Sequence, residues 1–211
     1  MSLRLPDTGA EVLSDGRRMA PSAARNAAPI LQVLQEEAPA SGVMLEIASG
    51  SGLHGALFAA ALPGLDWQPT DADPGTFASI RAWAATSTGR IATPIPLDAT
   101  SPGWAADWPG CAAVLLVNLL HLIPQAAAAV VLHEISRALA PQGVAFLYGP
   151  FLRGGAATSP GDAAFDASLR AQDSTIGYKD LGWVTAQLQT AGLSVQPRAM
   201  PANNLMLVCR K

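Results

Sequence analysis

The sequence predicts a doubly wound α/β domain: a mostly parallel, seven-stranded sheet with helices on both faces and a C-terminal antiparallel hairpin. Two observations lead to this prediction. Short apolar runs alternate with segments of helical periodicity, which is typical of β–α–β units. The last two apolar runs, 194–200 and 205–209, are joined by only Pro201-Ala-Asn-Asn204. A parallel pair needs a crossover of about a dozen residues or more, so these two strands must be antiparallel neighbours.

The elements follow in chain order from apolar periodicity and from the Gly and Pro residues that bound it. Residues 1–22 show no periodicity and are predicted to form an N-terminal arm, ahead of a single domain at 23–211. Residues 149–179 break the alternation and are predicted to be a substrate-side insert or lid, with a short helix at 165–171. The first helix is predicted to begin at residue 22 or 26 and to end before Pro39, and further helices are predicted at 53–60, 74–85, 125–139 and 180–191. Besides the last two strands, strands are predicted at 43–48, 65–70, 94–97, 112–118 and 144–148.

Composition excludes several classes of protein. Of the 211 residues, 50% are hydrophobic and 14% charged, which excludes intrinsic disorder. The net charge of −3 supplies no basic field, so nucleic acid is not expected as a partner. The most apolar stretch, 111–133, is interrupted by polar residues, so no membrane partner is expected. Two cysteines and no recognisable leader favour the cytoplasm, and the low charge content would suit a homodimer face.

A glycine-rich turn follows the first long strand. Glycines at this place let the backbone turn tightly and approach a ligand, next to the positive end of a helix. The GxGxxG pattern gains meaning from lying between a strand and a helix, although an ordinary βα turn remains the alternative. The candidate cofactor residues here are Glu46, Ala48, Ser49, Gly50, Ser51, Gly52 and His54.

Acidic residues follow the next two strands. Asp71 lies 21 positions after Gly50, where a carboxylate can accept hydrogen bonds from both hydroxyls of a ribose. Asp73 competes for that role but is the better candidate to cap the following helix. Asp98, with Ala99 after it, is placed to meet an adenine amino group; the alternative is a solvated loop residue.

Polar residues also follow the 112–118 strand. The carboxyl ends of the strands line the ligand crevice of open α/β sheets, so Asn118 is a candidate cofactor contact and His121 the first candidate base. Tyr148 is the second candidate base, and Phe151 a candidate substrate contact. A satisfied structural histidine and a rim aromatic are the alternatives for His121 and Tyr148. His54, His121 and His133 have no metal-ligand spacing, so no metal is expected.

Three further pairs each have two interpretations. Asp166 and Arg170 lie at i, i+4, either as an exposed helical ion pair or as part of the lid, with Arg170 clamping an acidic substrate. Asn203 and Asn204 either shape the hairpin turn or contact substrate. The third pair, Arg25-Asn26, either closes over the cofactor or supplies a helix cap in Asn26.

The motifs leave two cofactors open, NAD and S-adenosyl-L-methionine. Glu46 inside the strand and the C-terminal hairpin favour the second, and the chain resembles the class I methyltransferase family over almost its whole length. That resemblance implies the Rossmann-like class I methyltransferase fold. It also implies that Glu46 with Gly50 and Gly52 meets the methionine end of the cofactor, Asp71 the ribose and Asp98 the adenine.

Five strings resemble a narrower family, methyltransferase-like 26, whose bacterial members are usually described as a domain of unknown function. Arg25-Asn26 also matches that family. The resemblance implies a cytoplasmic S-adenosylmethionine-dependent methyltransferase of a small or medium-sized molecule, with S-adenosyl-L-homocysteine as product. A non-catalytic cofactor-binding protein and an NAD-dependent oxidoreductase are the alternatives. The strings begin at Glu46 (EIASGSGLH), Trp67 (WQPTDAD), Leu147 (LYGPF), Ala164 (AFDASLR) and Met200 (MPANNL).

Overall fold

A seven-stranded sheet forms the centre of the protein. The structure, a computed structural model, describes residues 11–211. Across the sheet the strand order is β6-β7-β5-β4-β1-β2-β3. β7 is antiparallel to both of its neighbours, and all other pairs are parallel, so the predicted fold class is confirmed. The strands are β1 (Gly42–Ile47), β2 (Leu65–Asp71), β3 (Ile95–Pro96), β4 (Cys111–Val117), β5 (Leu139–Gly149), β6 (Ser194–Ala199) and β7 (Leu205–Arg210).

In the described part of the chain, six α-helices connect or flank the strands, each overlapping a predicted helix. Within residues 11–211, no helix has both the length and the apolarity to cross a membrane. The helices are α1 (Pro21–Glu37), α2 (Leu53–Ala61), α3 (Phe77–Ala84), α4 (Gln125–Ala138), α5 (Pro160–Gln172) and α6 (Leu181–Thr190).

Both faces of the sheet are buried. Successive strand residues point to opposite faces: Met44 packs with α1 and α2, whereas Leu45 packs with α4 and α6. Continuous apolar runs in the central strands follow from this burial on two sides. The carboxyl ends of β1, β2 and β4 are left as an edge where polar side chains can meet.

The start of α1 differs from the prediction. Neither Ser22 nor Asn26 caps it: the N-cap is Ala20, without a side-chain hydrogen bond, and Pro21 is the first helical residue. Proline suits this position because its φ is already helical and its missing N–H is not needed there. Asn26 therefore lies inside the helix, and its buried side chain is free to serve another purpose.

The N-terminal arm has structure of its own where it is described. Residues 11–12 and 18–19 pair as a small antiparallel hairpin; the predicted arm's residues 1–10 lie outside the described range. Arg18 N–H donates to Ser79 Oγ at 2.8 Å, and Trp83 Nε1–H donates to Arg18 O at 3.0 Å. These contacts place the end of the arm on α3.

Helix α5 begins earlier than the predicted 165–171. Ser159 is its N-cap and accepts a hydrogen bond from Asp162 N–H at 3.2 Å, and Pro160 is in the first turn. A serine followed by proline is a start signal, so the sequence contained the information for the longer helix.

Candidate functional site

Two non-glycine residues with left-handed backbone follow neighbouring strands. Ala48, after β1, has φ 54°, and Asn118, after β4, has φ 57°. This conformation costs a residue with a Cβ roughly 1–2 kcal/mol, and such strain concentrates at functional sites. Since β1 and β4 are paired, both strained turns lie on one edge of the sheet.

The glycines of the turn after β1 have separate roles. Gly50 has φ +57°, and a Cβ there would have only Ala48 O near it, at 3.9 Å. The surface of the turn is therefore bare at Gly50. Gly52 has φ +88°, and a Cβ there would lie 2.6 Å from the Cα of Ile80. Gly52 thus lets α2 start in close contact with α3.

Asp71 binds the glycine turn directly. Its Oδ2 accepts the N–H of Gly50 at 2.8 Å, and its Oδ1 accepts the N–H of Asp73 at 2.9 Å. Burial raises the pKa of Asp71. An ionised carboxylate has about four acceptor positions, so two remain for a ligand. Asp73 accepts the N–H of Gly75 at 2.8 Å and caps the following turn, as predicted.

Glu46 is buried under the same turn. Its Oε2 accepts hydrogen bonds from Trp67 Nε1–H and Ser49 Oγ–H, both at 2.9 Å. Gly55 makes room for these bonds, because a Cβ there would lie 2.9 Å from Oε2. Burial, with the Asp71 carboxylate adding to it, raises the pKa of Glu46 to about 7. Two acidic groups thus lie below the turn.

Three backbone amides of this turn point inward. Gly50 N–H binds Asp71, Gly52 N–H donates to Ser49 O at 3.0 Å, and Ser49 N–H donates to Thr70 O at 2.9 Å. A phosphate-binding turn presents free amides to its anion. These three amides are already bonded within the protein, and the neighbouring carboxylates would repel a phosphate. The turn is therefore suited to a neutral or cationic group.

Asp98 lies on the same edge, beyond β3. Its carboxylate accepts hydrogen bonds from Thr100 N–H at 2.9 Å and Ser101 Oγ–H at 3.1 Å, while the residue stays exposed. Ala99 is buried, and its carbonyl accepts Trp104 Nε1–H at 3.1 Å. β3 pairs with β2 at the register Asp71–Pro96, which brings this turn beside the end of β2.

Three predicted residues form a buried polar bridge. His54 Nε2 lies 2.7 Å from Asn26 Oδ1, and the Asn26 amide also neighbours the Tyr148 hydroxyl, whose pKa burial raises. Burial lowers the pKa of His54 to about 4, so its ring is neutral. The bridge joins α1, α2 and β5, whereas Arg25 lies on the exposed side of α1.

His121 follows β4 on a one-turn helix and is 6% exposed. The ring centroids of Phe165 and Tyr178 each lie 6.0 Å from its own. Burial, with the charge of Lys179 adding to it, lowers the pKa of His121 to about 4. A Cβ on Gly149 would lie 3.9 Å from His121 Nδ1 and 3.6 Å from the Asn118 side chain. A neutral imidazole therefore lies at the carboxyl edge of the sheet.

The Asp166–Arg170 pair fixes α5 to the chain that follows it. Asp166 Oδ2 accepts Arg170 Nε–H at 2.8 Å, and its Oδ1 accepts Tyr178 N–H at 2.6 Å. The two residues form the helical i, i+4 ion pair that was one of the two interpretations, and Asp166 also binds the backbone of Tyr178. Gly177, at φ +128°, leaves the space that this contact needs.

The remaining candidates lie around the insert. Phe151 is 3% exposed and packs in the core on the α4 side of the sheet. Asn203 Nδ2–H donates to Asp162 Oδ2 at 3.0 Å, so the hairpin turn contacts the start of α5. Asn204 Nδ2–H donates to Pro201 O at 3.1 Å and shapes the turn itself.

Sequence reasoning missed two residues of this edge, Trp67 and Lys179. Trp67 is a core residue whose indole N–H donates to Glu46. The alternation of side chains along paired strands puts both residues on one face of the sheet, and this was the signal in the sequence. Lys179 is 4% exposed, and nothing in the string Ile-Gly-Tyr-Lys predicts a buried amine.

The sheet order, the antiparallel hairpin and the turn after β1 define the fold of class I methyltransferases. A family model described as "Protein of unknown function (DUF938)" matches residues 17–211. The chain belongs to this family.

Solved structures share the fold. An O-methyltransferase family protein from Burkholderia thailandensis matches with a TM-score of 0.76 at 19% identity, over 90% of this chain and 57% of that one. Human N-acetylserotonin methyltransferase in complex with SAM matches with a TM-score of 0.69 at 16% identity, over 90% of this chain and 52% of that one. A putative methyltransferase from Bacillus halodurans matches with a TM-score of 0.68 at 12% identity, over 89% of this chain and 99% of that one. This chain thus spans little more than half of the first two and nearly all of the third.

Proposed function

We propose that this protein is an S-adenosyl-L-methionine-dependent methyltransferase acting on a small or medium-sized molecule, with S-adenosyl-L-homocysteine as product. The observation that carries the proposal is the pair of buried carboxylates, Glu46 and Asp71, under a turn in which the amides of Ser49, Gly50 and Gly52 are used internally. Opposite charges attract strongly where water is excluded. A sulfonium cofactor suits this charge, whereas the pyrophosphate of NAD does not.

The proposed cofactor contacts follow the edge of the sheet. The free acceptor positions of Asp71 are assigned to the ribose hydroxyls, and Asp98 with Ala99 to the adenine. Glu46 is assigned to the methionine end, where the positive charge of a sulfonium would favour its ionised form over the protonated one. The other proposed contacts are Arg25, Asn26, Ala48, Ser49, Gly50, Ser51, Gly52, His54 and Asn118.

The chemistry asks little of the protein beyond alignment and exclusion of water. When bound, the cofactor supplies an electrophilic methyl group on a sulfonium. His121 is the proposed proton acceptor, because its ring is neutral and lies on the same edge as the turn. With a pKa of about 4, the ring can accept a proton only from a group that becomes strongly acidic as the new bond forms. Tyr148 is the second candidate; burial raises its pKa, so its hydroxyl is protonated at neutral pH and would have to give up its own proton before accepting another.

The 149–179 segment is proposed to be the lid over the methyl acceptor. In support, Phe165 of α5 is 46% exposed and its ring lies beside His121. An exposed aromatic ring next to the proposed base offers apolar surface to an acceptor. Asp166 and Arg170 hold this helix, and Phe151, Asn203 and Asn204 are proposed to support its substrate-facing side.

Three finer assignments belong to the same proposal. The quoted strings support membership of the methyltransferase-like 26 type. Cysteine usage supports the cytoplasm, and a homodimer is the proposed assembly. The assembly is checked by light scattering on the purified protein, for which a molar mass of about twice the 21.7 kDa chain is expected.

Titration calorimetry with S-adenosyl-L-methionine, S-adenosyl-L-homocysteine and NAD tests the cofactor. Binding of the first two and not of NAD is expected, and binding of NAD alone would overturn the proposal. Methyl-labelled cofactor is then incubated with a broad metabolite extract. Transfer of the label is expected; tight binding without any transfer would instead identify a non-catalytic binding protein.

A further inference from the structure

Lys179 is a buried amine at the end of the insert. Its Nζ donates hydrogen bonds to Ile123 O at 2.8 Å and to Gly177 O at 2.7 Å. Both partners are backbone carbonyls, and no carboxylate forms an ion pair with Lys179 among residues 11–211. Burial of a charged group is unfavourable unless ion pairs or hydrogen bonds with its neighbours offset the loss of hydration. A hydrocarbon side chain would fill the same volume at lower cost, so the amine calls for an explanation.

The two carbonyls connect Lys179 to the proposed base. Ile123 lies two residues after His121, on the same short segment. Gly177 N–H donates to His121 O at 3.0 Å, and the Tyr178 ring packs edge-on against the imidazole. Lys179 thus joins two chain segments that hold the backbone and the ring of His121.

The charged groups around His121 come from two elements. Lys179 comes from the segment after α5; Asp166 comes from α5 itself, where its carboxylate is bound by Arg170 and by Tyr178 N–H. The positive charge of Lys179 opposes protonation of the imidazole, and Asp166 favours it. Burial, with Arg170 adding to it and Asp166 opposing it, lowers the pKa of Lys179 to about 8. The amine therefore remains mostly protonated at pH 7.

We propose that Lys179 is a positioning residue for His121: through the Ile123 and Gly177 carbonyls it fixes the two segments that hold the histidine, and it places its positive charge beside the imidazole. The inference rests on the proposed function insofar as His121 accepts a proton there. The contacts and the charge are independent of the acceptor's identity. They also make lid and base one unit, since Lys179 ends the proposed lid.

Nuclear magnetic resonance titration of the histidine rings tests this in the wild type and in Lys179→Met. The His121 midpoint is expected to rise by about one pH unit in the variant. His54, equally buried, and His133, exposed on α4, serve as internal controls and should not move. An unchanged His121 midpoint in a folded variant, or an equal shift in all three rings, would reduce Lys179 to a packing residue and overturn the proposal.

A second variant decides the matter if Lys179→Met does not fold. Asp166→Asn removes the opposing charge and keeps an acceptor for Tyr178 N–H. The His121 midpoint should fall in the variant, because the positive charge of Lys179 is then no longer opposed by the Asp166 carboxylate; an unchanged midpoint would overturn the proposal. Calorimetry with S-adenosyl-L-methionine on the same samples keeps the outcomes apart, because failure to bind contradicts the proposed function alone.

Discussion

Asp71 accepts the backbone N–H of Gly50 across the ends of two parallel strands, at 2.8 Å. The carboxylate that is proposed to bind the ribose therefore also sets the conformation of the turn beside it. A GxGxxG pattern and a later acidic residue are usually treated as separate signals. In this protein they are one hydrogen-bonded unit, and a change in either should be detected in both cofactor affinity and stability.

Replacement of Asp71 by alanine should weaken cofactor binding by about 100-fold, since two hydrogen bonds to a charged acceptor are lost. The free energy of unfolding should fall by about 1–2 kcal/mol, because two partly buried N–H groups lose their acceptor. Calorimetry and urea unfolding measure the two effects. Asp73→Ala is the matched control: it removes a cap, worth about 1 kcal/mol, and should leave affinity unchanged. If Asp71→Ala bound the cofactor with wild-type affinity, Asp71 would not be part of the cofactor site.

Gly52→Ala should destabilise the fold by about 2–4 kcal/mol, because the new Cβ would lie 2.6 Å from a backbone atom of α3. Gly103→Ala is the control, since Gly103 also has a left-handed φ of +97° but has no atom within 4 Å of its Cβ position. The free energy of unfolding of Gly103→Ala should fall by only about 1 kcal/mol. Urea unfolding compares the two variants. Equal losses would show that backbone strain, and not the contact with α3, explains the glycine.

Glu46→Gln should change how stability depends on pH. The folded pKa of Glu46, about 7, lies above its ordinary 4.5, so the native state binds the proton more tightly. The associated stability is complete below pH 4.5 and is lost as the pH rises through 7, on the order of 3 kcal/mol. Urea unfolding at pH 5 and pH 8 should therefore differ less in the variant. Glu36→Gln, on the exposed side of α1, should behave as wild type; identical pH profiles for wild type and Glu46→Gln would contradict the assignment.

His121→Ala should reduce turnover by at least about 100-fold on an acceptor found in the label-transfer screen, which is the usual contribution of a general base. Affinity for S-adenosyl-L-methionine should stay near the wild-type value. His133→Ala is the control for losing an imidazole and should keep full turnover. Full turnover in His121→Ala would mean that catalysis is positional and needs no base from this residue.

Gly177→Ala should release α5 from the segment after it. An added Cβ would lie 2.7 Å from Asp166 Oδ1, at a φ of +128° that side chains rarely adopt. Faster hydrogen exchange over 160–172 and lower turnover are expected, with cofactor affinity unchanged. Gly154→Ala controls for a left-handed glycine in open space, with φ +61° and no atom nearby. Unchanged exchange in α5 would show that the contact with Asp166 is not what holds the helix.

The fold could be predicted from the sequence because its signals are local. Alternating apolar runs and bounding glycines predicted strands such as 43–48, observed as Gly42–Ile47, and the four-residue link predicted the antiparallel pairing of β6 with β7. The cap of α1 was predicted wrongly: Ser and Asn are good caps in general, but Pro21 already starts the helix.

The site was predictable only in part, because side-chain partners come from distant parts of the chain. The turn and Asp71 were selected as candidates from their spacing, yet the bond between them is a tertiary contact. Asn26 and His54 were singled out separately and proved to be partners across two helices. Lys179 was missed, since an isolated lysine is exposed in most proteins and its burial depends on the carbonyls of two separate segments.

Strand β7 lies between β5 and β6, both of which precede it in the chain. β6 has no other partner in the sheet, so before residues 205–210 are in place it cannot join, and β5 presents a bare edge. Unpaired edges promote association between chains, and intermediates that expose them are prone to aggregate. Destabilisation of the hairpin should therefore be detected first as aggregation during expression, before any loss of structure in the distant glycine turn.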